Sequence, residues 1–442
     1  MEEKLYQACL DGKVEEVQKL LQNQINTNWQ NQNDYLKTPF YVACYDGHIE
    51  IVKLLLNDNR VDFNKASNSG WTPFHSACYN GHIDIVKLLL NDNRIDINKA
   101  NNDGQTPFYV ACYNGHIDIV KLLLNDNRID INKADKNEAT PFYIACQKGH
   151  IDIVKLLLND ERIDINKASN SGWTPFYNAC CNGRTEIVKL LLNDERIDIN
   201  KATNDSETPL YVACNNGHIE IVKLLLNDNR VDINKASNDG WTPFNSACYD
   251  GHIDIVKLLL NNNRVDINKA ANDGYTPFYV ACGNGNIDIV KLLLNDNRID
   301  INKEKNDGYT PFHSACRYGH IDIMKLLLND ERVDINKASN GDWTPFYIAC
   351  YFGETEVVKY LLESEREIDI NKKDSVGKSG LDYAKQDGNT DIVALIESFQ
   401  KNPSETRKKL RREFGNLIFY FHDFFWFFYD KNIIFFSIFK RF

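Results

Sequence analysis

Two His-Ser-x-Cys segments carry the residue types and spacing that nucleophilic chemistry would need: His75-Ser76-Ala77-Cys78 and His313-Ser314-Ala315-Cys316. Residues three apart on a helix lie on one face, so the imidazole could act as the base for the thiol. The same Ala-Cys pair recurs throughout the chain, however, and no acidic residue accompanies either histidine in a fixed position. We therefore interpret the cysteine as a buried structural thiol, predict no catalytic residue and expect that the protein is not an enzyme.

Most of the 12 cysteines follow a fixed interval and not a metal-ligand pattern. Ten of them stand 34 residues apart: Cys44, Cys78, Cys112, Cys146, Cys180, Cys214, Cys248, Cys282, Cys316 and Cys350. Zinc sites need cysteine or histidine ligands a few residues apart, and this interval does not supply them. We predict free, buried thiols in a reducing compartment, no metal site and no cofactor.

Seven of the ten histidines follow a recurring glycine: His48, His82, His116, His150, His218, His252 and His320. Arg184, Asn286 and Glu354 stand in the same position elsewhere. A residue repeated in one place of every unit is expected to bridge turns and helices by hydrogen bonds, so we predict a structural role for it.

The element that positions these residues is a 34-residue unit, of which Gly70–Asp103 (GWTPFHSACYNGHIDIVKLLLNDNRIDINKANND) is one copy. Thr72 suits a helix N-cap, and Pro73 suits the first helical position. Gly81 should end this first helix, since glycine tolerates the left-handed conformation found there. The apolar spacing predicts a second helix over 83–90, which stacking on neighbouring units would bury.

After the second helix, Ile95-Asp96-Ile97 alternates like a short extended arm, and Asn102-Asp103-Gly104 predicts a turn. Together these elements resemble the ankyrin repeat family, whose T-P-L-H-x-A pattern matches TPF-x-x-A-C over roughly residues 4–398. The unit has one residue more than the family's usual 33, in the Asn-Asp-Asn/Glu-Arg connection. The resemblance implies an all-α solenoid of about twelve helix-turn-helix units with short β-hairpin-like arms.

Four segments are predicted. Residues 1–34 form an N-terminal capping half-repeat, 35–371 hold ten near-identical repeats, and 372–400 form a degenerate C-terminal capping repeat. Residues 401–442 form a tail that is first basic, over 407–412, and then rich in phenylalanine. Three interpretations of this tail stay open: a membrane span, an interfacial or partner-docking segment, and an unstructured segment or gene-model artefact such as a translated intron or a frameshifted sequence.

The resemblance also implies that partner proteins bind along a concave face, through the turn tips and the exposed ends of the first helices. The first residue after Ala-Cys and the residue before Thr-Pro vary most among the units. The predicted partner-binding residues are Tyr45, Tyr79, Tyr113, Tyr249, Tyr351, Trp71, Trp173, Trp241, Trp343, Tyr275, Tyr309 and Arg317. Exposed Trp and Tyr are typical of interface anchors, because they bring a large rigid area and a hydrogen-bonding tip. The Tyr41-type position within the first helix is predicted to be structural.

The net charge is −11, although residues 401–442 carry nine basic and four acidic side chains. An acidic body argues against nucleic acid as the partner, since phosphate recognition needs Lys and Arg. The N-terminus, MEEKLYQACLDG, has two early acidic residues and no apolar run, so a secretory signal is not expected.

We therefore expect a monomeric, cytoplasmic or nuclear scaffold that binds a protein or peptide. One alternative is an adaptor tethered to a membrane through 407–442. A second is an elastic or spacer element, for which the exposed aromatic residues would bind nothing.

Overall fold

The computed structural model describes residues 1–415, which form 25 helices and, within that range, only isolated β-bridges. The helices are α1 Glu2–Leu10, α2 Val14–Leu21, α3 Pro39–Tyr45, α4 Ile49–Leu56, α5 Pro73–Asn80, α6 Ile83–Leu90, α7 Pro107–Asn114, α8 Ile117–Leu124, α9 Pro141–Lys148, α10 Ile151–Leu158, α11 Pro175–Cys181, α12 Thr185–Leu192, α13 Pro209–Asn215, α14 Ile219–Asn227, α15 Pro243–Tyr249, α16 Ile253–Leu260, α17 Pro277–Gly283, α18 Ile287–Leu294, α19 Pro311–Arg317, α20 Ile321–Leu328, α21 Pro345–Tyr351, α22 Thr355–Glu363, α23 Gly380–Gln386, α24 Thr390–Lys401 and α25 Pro403–Glu413. They fall into two compact units, Met1–Asn238 with α1–α14 and a second that begins at Asp239 with α15–α25.

Within each unit consecutive helices pack against each other in pairs, with α25 as an additional helix in the second unit, and the first helix of a pair packs against the first helix of the next. Each first helix of the ten full repeats starts where the sequence predicts. The Thr hydroxyl accepts a hydrogen bond from the third helical amide at 3.1–3.4 Å, and proline follows the threonine. In α5 the helix ends at Gly81, whose φ of 80° is left-handed. The predicted cap, proline and glycine are confirmed.

The second helices bury one face and expose the other, as their apolar spacing predicts. In α6, Ile85, Val86 and Leu89 are buried, while Lys87 and Asp84 are exposed and lie 3.4 Å apart. Burying such aliphatic side chains contributes about 1.5–3 kcal/mol each to stability. Because a single helix pair cannot enclose these side chains, the core exists only between stacked pairs.

A tight turn, here called the finger, precedes each Thr-Pro pair. In the finger 67–71, the Ser67 amide donates to the Trp71 carbonyl at 2.9 Å. Adjacent fingers are joined, since the Asn102 amide donates to the Ser69 carbonyl at 3.0 Å. The arm expected to be extended over 95–97 is instead made of bends and turns, because the Ile95 amide donates to the Asp92 carbonyl at 3.0 Å.

The histidine after the recurring glycine is structural, but its hydrogen bond reaches the preceding repeat. His82 Nε2 lies 2.8 Å from the Tyr45 carbonyl oxygen, at the C-terminal end of α3. The same contact, at 2.7–3.0 Å, joins other repeats. This bond satisfies a carbonyl that the end of a helix leaves without an intrahelical partner.

The connection that contains the 34th residue also joins repeats. The Arg94 guanidinium donates to the Asp92 carboxylate at 2.6 Å and to the Leu56 carbonyl at 3.0 Å. Arg128 makes the equivalent bond to the Leu90 carbonyl at 2.8 Å. Asn98 bridges forward, since its Nδ2 donates to the Arg128 carbonyl and its Oδ1 accepts from the Asp130 amide. The longer connection therefore supplies a cap for the second helix of the previous repeat.

The last three helices differ in detail from those of the ten repeats. Ser379 replaces the capping threonine of α23, and Asn402 separates α24 from α25, which begins at Pro403. The basic cluster 407–412 lies in α25, which packs against α22 and α24. There, Arg411 Nε contacts the Glu363 carboxylate at 3.2 Å. The phenylalanine-rich part of the predicted tail, 416–442, lies outside the described residues.

Candidate partner-binding surface

The fingers and the C-terminal ends of the first helices form one surface within each unit. The Trp71 ring meets the Tyr79 ring edge to face, with centroids 5.2 Å apart. Trp241 and Tyr249 make the same contact at 5.3 Å, and Trp343 and Tyr351 lie 5.1 Å apart. The structure thus brings together residues that the sequence placed in two separate positions, and these three finger tryptophans each contact the tyrosine at the end of the first helix. We call this the finger-side surface.

Other predicted tyrosines of the finger-side surface lie beside cations. Lys37 Nζ is 5.1 Å from the centroid of the Tyr45 ring, and Lys148 Nζ is 4.2 Å from that of Tyr113. Tyr45, Tyr79 and Tyr113 are 37–39% exposed, and Tyr249 is 49% exposed. These rings are held in place by neighbours and still offer over a third of their surface to solvent, which suits anchors that lose little entropy on binding.

Three predicted residues lie mainly against the protein's own side chains. The Tyr275 ring packs on buried Tyr279 at 5.0 Å, and Tyr309 packs on buried His313 at 5.3 Å. Trp173 packs on buried Tyr177 at 5.1 Å, since the neighbouring helix-end position is Cys181. All three rings are half-buried, so they cover the first helices more than they offer free area.

The surface of the second unit includes two residues that the sequence prediction missed. Tyr318 and Phe352 follow the predicted Arg317 and Tyr351, and they are 55% and 42% exposed. The Arg317 guanidinium lies 4.7 Å from the centroid of the Phe352 ring and 5.4 Å from that of Tyr318. Other units hold Asn, Asp or Lys at this position, so the change to an aromatic residue was the available signal.

The His-Ser-x-Cys segments contain no thiol–base pair. His75 is fully buried, and its Nδ1 accepts from the Thr72 amide at 3.2 Å. Its Nε2 lies 3.0 Å from the Gln105 carbonyl, to which it must donate. Both ring nitrogens are thus occupied, while burial raises the pKa of the Cys78 thiol. The Tyr41-type position is also structural, since Tyr41, Tyr109 and Tyr347 are buried.

All 12 cysteines are free, and eleven of them are buried, which confirms the predicted free thiols. Residues 1–415 contain no group of three or more His, Cys, Asp or Glu side chains placed to hold a metal ion. Over the same range, no helix is both long enough and apolar enough to cross a bilayer.

Capped helix pairs that repeat every 34 residues and bury their cores only against each other define a helical-repeat solenoid. The family model described as ankyrin repeats (3 copies) matches ten overlapping segments, from 5–101 to 331–405. The chain therefore belongs to the ankyrin repeat family, as its sequence predicted. Ankyrin repeats are generally protein–protein interaction modules, and proteins built from them are typically non-catalytic scaffolds. A search of curated protein sequences found no similar protein.

Proposed function

We propose that this protein is a non-enzymatic scaffold that binds a protein or peptide on the finger-side surface. The observation that supports this function is the set of half-exposed aromatic rings braced by neighbouring residues, such as Tyr79 against Trp71. Rigid aromatic side chains dominate the free energy of many protein interfaces. The family's general role as an interaction module supports the same conclusion.

The membrane-tethered alternative uses the tail 407–442, of which the structure describes the basic cluster 407–412, and the contacts of α25 weaken the contribution of that cluster. Arg411 is paired with Glu363 and Glu365, and Arg407 Nε donates to the Leu362 carbonyl. A cation that is already paired contributes less attraction to an anionic lipid surface. Co-sedimentation of the full chain with anionic vesicles tests this alternative directly.

The test of the proposed function is affinity capture with the full chain as bait, compared with a triple Tyr45→Ala, Tyr79→Ala and Tyr113→Ala variant. The matched control replaces Lys87, Lys121 and Lys155 by alanine, because these side chains are exposed on the second helices of the same unit. We expect the tyrosine variant to lose the partner while the lysine variant and the wild type retain it.

Circular dichroism melting of the three proteins should show that all of them are folded, since the lost tyrosine contacts are mostly at the surface. Capture that survives the tyrosine substitutions contradicts the proposal. If no bait retains a specific partner, the spacer alternative is favoured instead.

A further inference from the structure

One finger of the first unit lacks the bulky residue that the others carry. Five of the fingers place a ring over the residue four positions later, with centroids 5.0–5.7 Å apart: Trp71 on His75, Trp173 on Tyr177, Tyr275 on Tyr279, Tyr309 on His313, and Trp343 on Tyr347. Ala139 stands in this position, ahead of Tyr143. A methyl group therefore replaces an aromatic ring above the Tyr143 side chain.

The missing ring leaves a cavity of about 330 Å³ between the fingers 135–139 and 169–173. Tyr109 and Trp173 line it together with Ala139, Tyr143 and Ile144. This volume is at the lower end of the range of sites that hold small organic groups. It is large enough for one aromatic side chain.

Three other fingers of this unit have no aromatic residue at this position, and each carries a long side chain there. Lys37 Nζ lies 5.8 Å from the centroid of the Tyr41 ring, four positions later. Gln105 Oε1 accepts from Asn101 Nδ2 at 3.0 Å, and the Glu207 carboxylate accepts from the Tyr177 hydroxyl at 2.8 Å. Each long polar side chain thus occupies its own finger. Ala139 cannot do so, because it ends at Cβ.

The polar lining favours a ring that carries a hydrogen-bond donor. Asp135 Oδ1 is taken by the Asn137 and Ala139 amides, at 2.8 and 3.0 Å. Asp135 Oδ2 has a longer bond, 3.3 Å, from the Tyr109 hydroxyl, and it keeps accepting capacity. The residues that line the cavity include this carboxylate and no cationic side chain, so the one formal charge of the lining is negative.

We infer that the Ala139 cavity binds a tryptophan side chain of the partner, flanked in the partner by basic residues. The indole occupies the place that Trp71, Trp173 and Trp343 fill within their own repeats, and its N–H donates to the Asp135 carboxylate. The inference deepens the proposed function and rests on it, because the cavity lies between two fingers, which form part of the finger-side surface. It adds a specific anchor to a surface that otherwise offers repeated, similar contacts.

The test uses the full chain and ligand-detected fluorine NMR with a capped Lys-Trp-Lys peptide that carries 5-fluorotryptophan. A capped Lys-Leu-Lys peptide is the competitor that lacks the ring. We expect weak, saturable binding to the wild type, because one side chain has little energy to offset the cost of association. The leucine peptide should compete at least about tenfold less well than unlabelled Lys-Trp-Lys.

The decisive variant is Ala139→Trp, which places in this finger the residue found at Trp71 and Trp173. It should weaken peptide binding at least about tenfold while the chain stays folded. Ala139→Tyr is the second variant, since tyrosine occupies this position at Tyr275 and Tyr309, and it keeps the test valid if the tryptophan variant fails to fold. Glu207→Trp is the matched control, because it adds the same ring two repeats away and should leave binding unchanged.

Binding that is equal in the wild type and the Ala139 variants overturns the inference, as does equal competition by the leucine peptide or no binding at all. The proposed function is judged separately by protein capture. If the Tyr45, Tyr79 and Tyr113 substitutions abolish capture while Ala139→Trp leaves both capture and peptide binding intact, the cavity is not a site and the scaffold function stands. If the tyrosine substitutions leave capture intact, the scaffold function itself fails.

Discussion

The two buried histidines should make the stability of this protein depend on pH between about pH 6.5 and about pH 4, a window that extends above the ordinary pKa values of carboxylates. His75 and His313 are fully buried, and burial lowers the pKa of each to about 4, from an ordinary value of 6.5. Protonation would also set a new N–H at Nδ1 against the Thr72 and Thr310 amides, which already donate to that atom. The folded state therefore holds these imidazoles in the neutral form.

The sign follows from proton binding in the two states. Between about pH 6.5 and about pH 4, the unfolded histidine binds more protons than the folded one, so stability increases with pH across this window. The contribution of each histidine to stability is fully present above the pKa it has in the unfolded chain. This contribution is lost as the pH falls toward the pKa of the histidine in the folded protein. Each histidine should lower the free energy of unfolding by about 2 kcal/mol between pH 7 and pH 5, and by about 3 kcal/mol over the whole window.

The second unit contains a natural non-titrating replacement for these histidines. Asn245 occupies the same position in α15, where its Oδ1 accepts from the Thr242 amide at 3.1 Å. Its Nδ2 donates to the Tyr275 carbonyl at 3.1 Å, as His313 Nε2 does to the Trp343 carbonyl at 2.9 Å. His75→Asn and His313→Asn should therefore keep the hydrogen bonds and remove the titration.

The assay is urea unfolding followed by circular dichroism near pH 7 and near pH 5, with the wild type and both asparagine variants. Each variant should lose about 2 kcal/mol less than the wild type on acidification. Hydrogen exchange measured on α5 and α19 assigns the change to one unit or the other. All other titrating groups are common to the three proteins, so variants with the wild-type pH dependence would refute this reasoning.

Two further predictions concern single positions. Gly115→Ala and Gly377→Ala both force alanine to a left-handed φ, +81° and +80°, at about 1–2 kcal/mol each. At Gly115 the new Cβ would also lie 2.6 Å from the His150 ring, whereas at Gly377 it would meet no atom within 4 Å. We therefore expect Gly115→Ala to lower the free energy of unfolding in urea by about 1 kcal/mol more than Gly377→Ala does. Equal losses in the two variants would contradict a cost from the His150 contact. Separately, Cys181 should react first with Ellman's reagent in the folded protein, because it alone of the 12 cysteines is not buried. A fast phase that persists in Cys181→Ser would contradict this assignment.

The sequence predicted those features of the fold that depend on local chemistry. Thr72, Pro73 and Gly81 mark the ends of α5 through capping and left-handed backbone preferences, which act over a few residues. The bond from Arg94 to the Leu56 carbonyl could not be predicted in this way, because it joins residues 38 apart through the packing of two repeats. The sequence also did not predict that α25 packs on α22, because this contact joins residues far apart in the chain. The basic residues 407–412 showed no apolar pattern that would have indicated it.

The candidate surface was predicted in its parts but not in its arrangement. The variation at Trp71 and Tyr79 marked both residues, whereas their contact became visible only once the finger was placed over the end of the helix. The Ala139 cavity was missed because a small residue among large ones carries no signal until the ring stacking of the other fingers is known. Partner binding by all of these residues stays a prediction.

The hydrogen bonds between repeats have a consequence for how this protein can change in length. The side-chain bonds that join neighbouring repeats span 30–38 residues, and the repeats themselves are nearly identical. Removal of residues 116–149, one period of 34, would leave Gly115 followed by His150, the same dipeptide as before. Arg162 would then meet the Leu90 carbonyl, which Arg128 now caps, and no contact of a new kind would be needed. Recombination between such segments can add or delete whole repeats, and this deletion would remove Ala139 and its cavity. The ligand preference of such a protein can therefore change through the gain or loss of whole repeats, without substitutions in the repeats that remain.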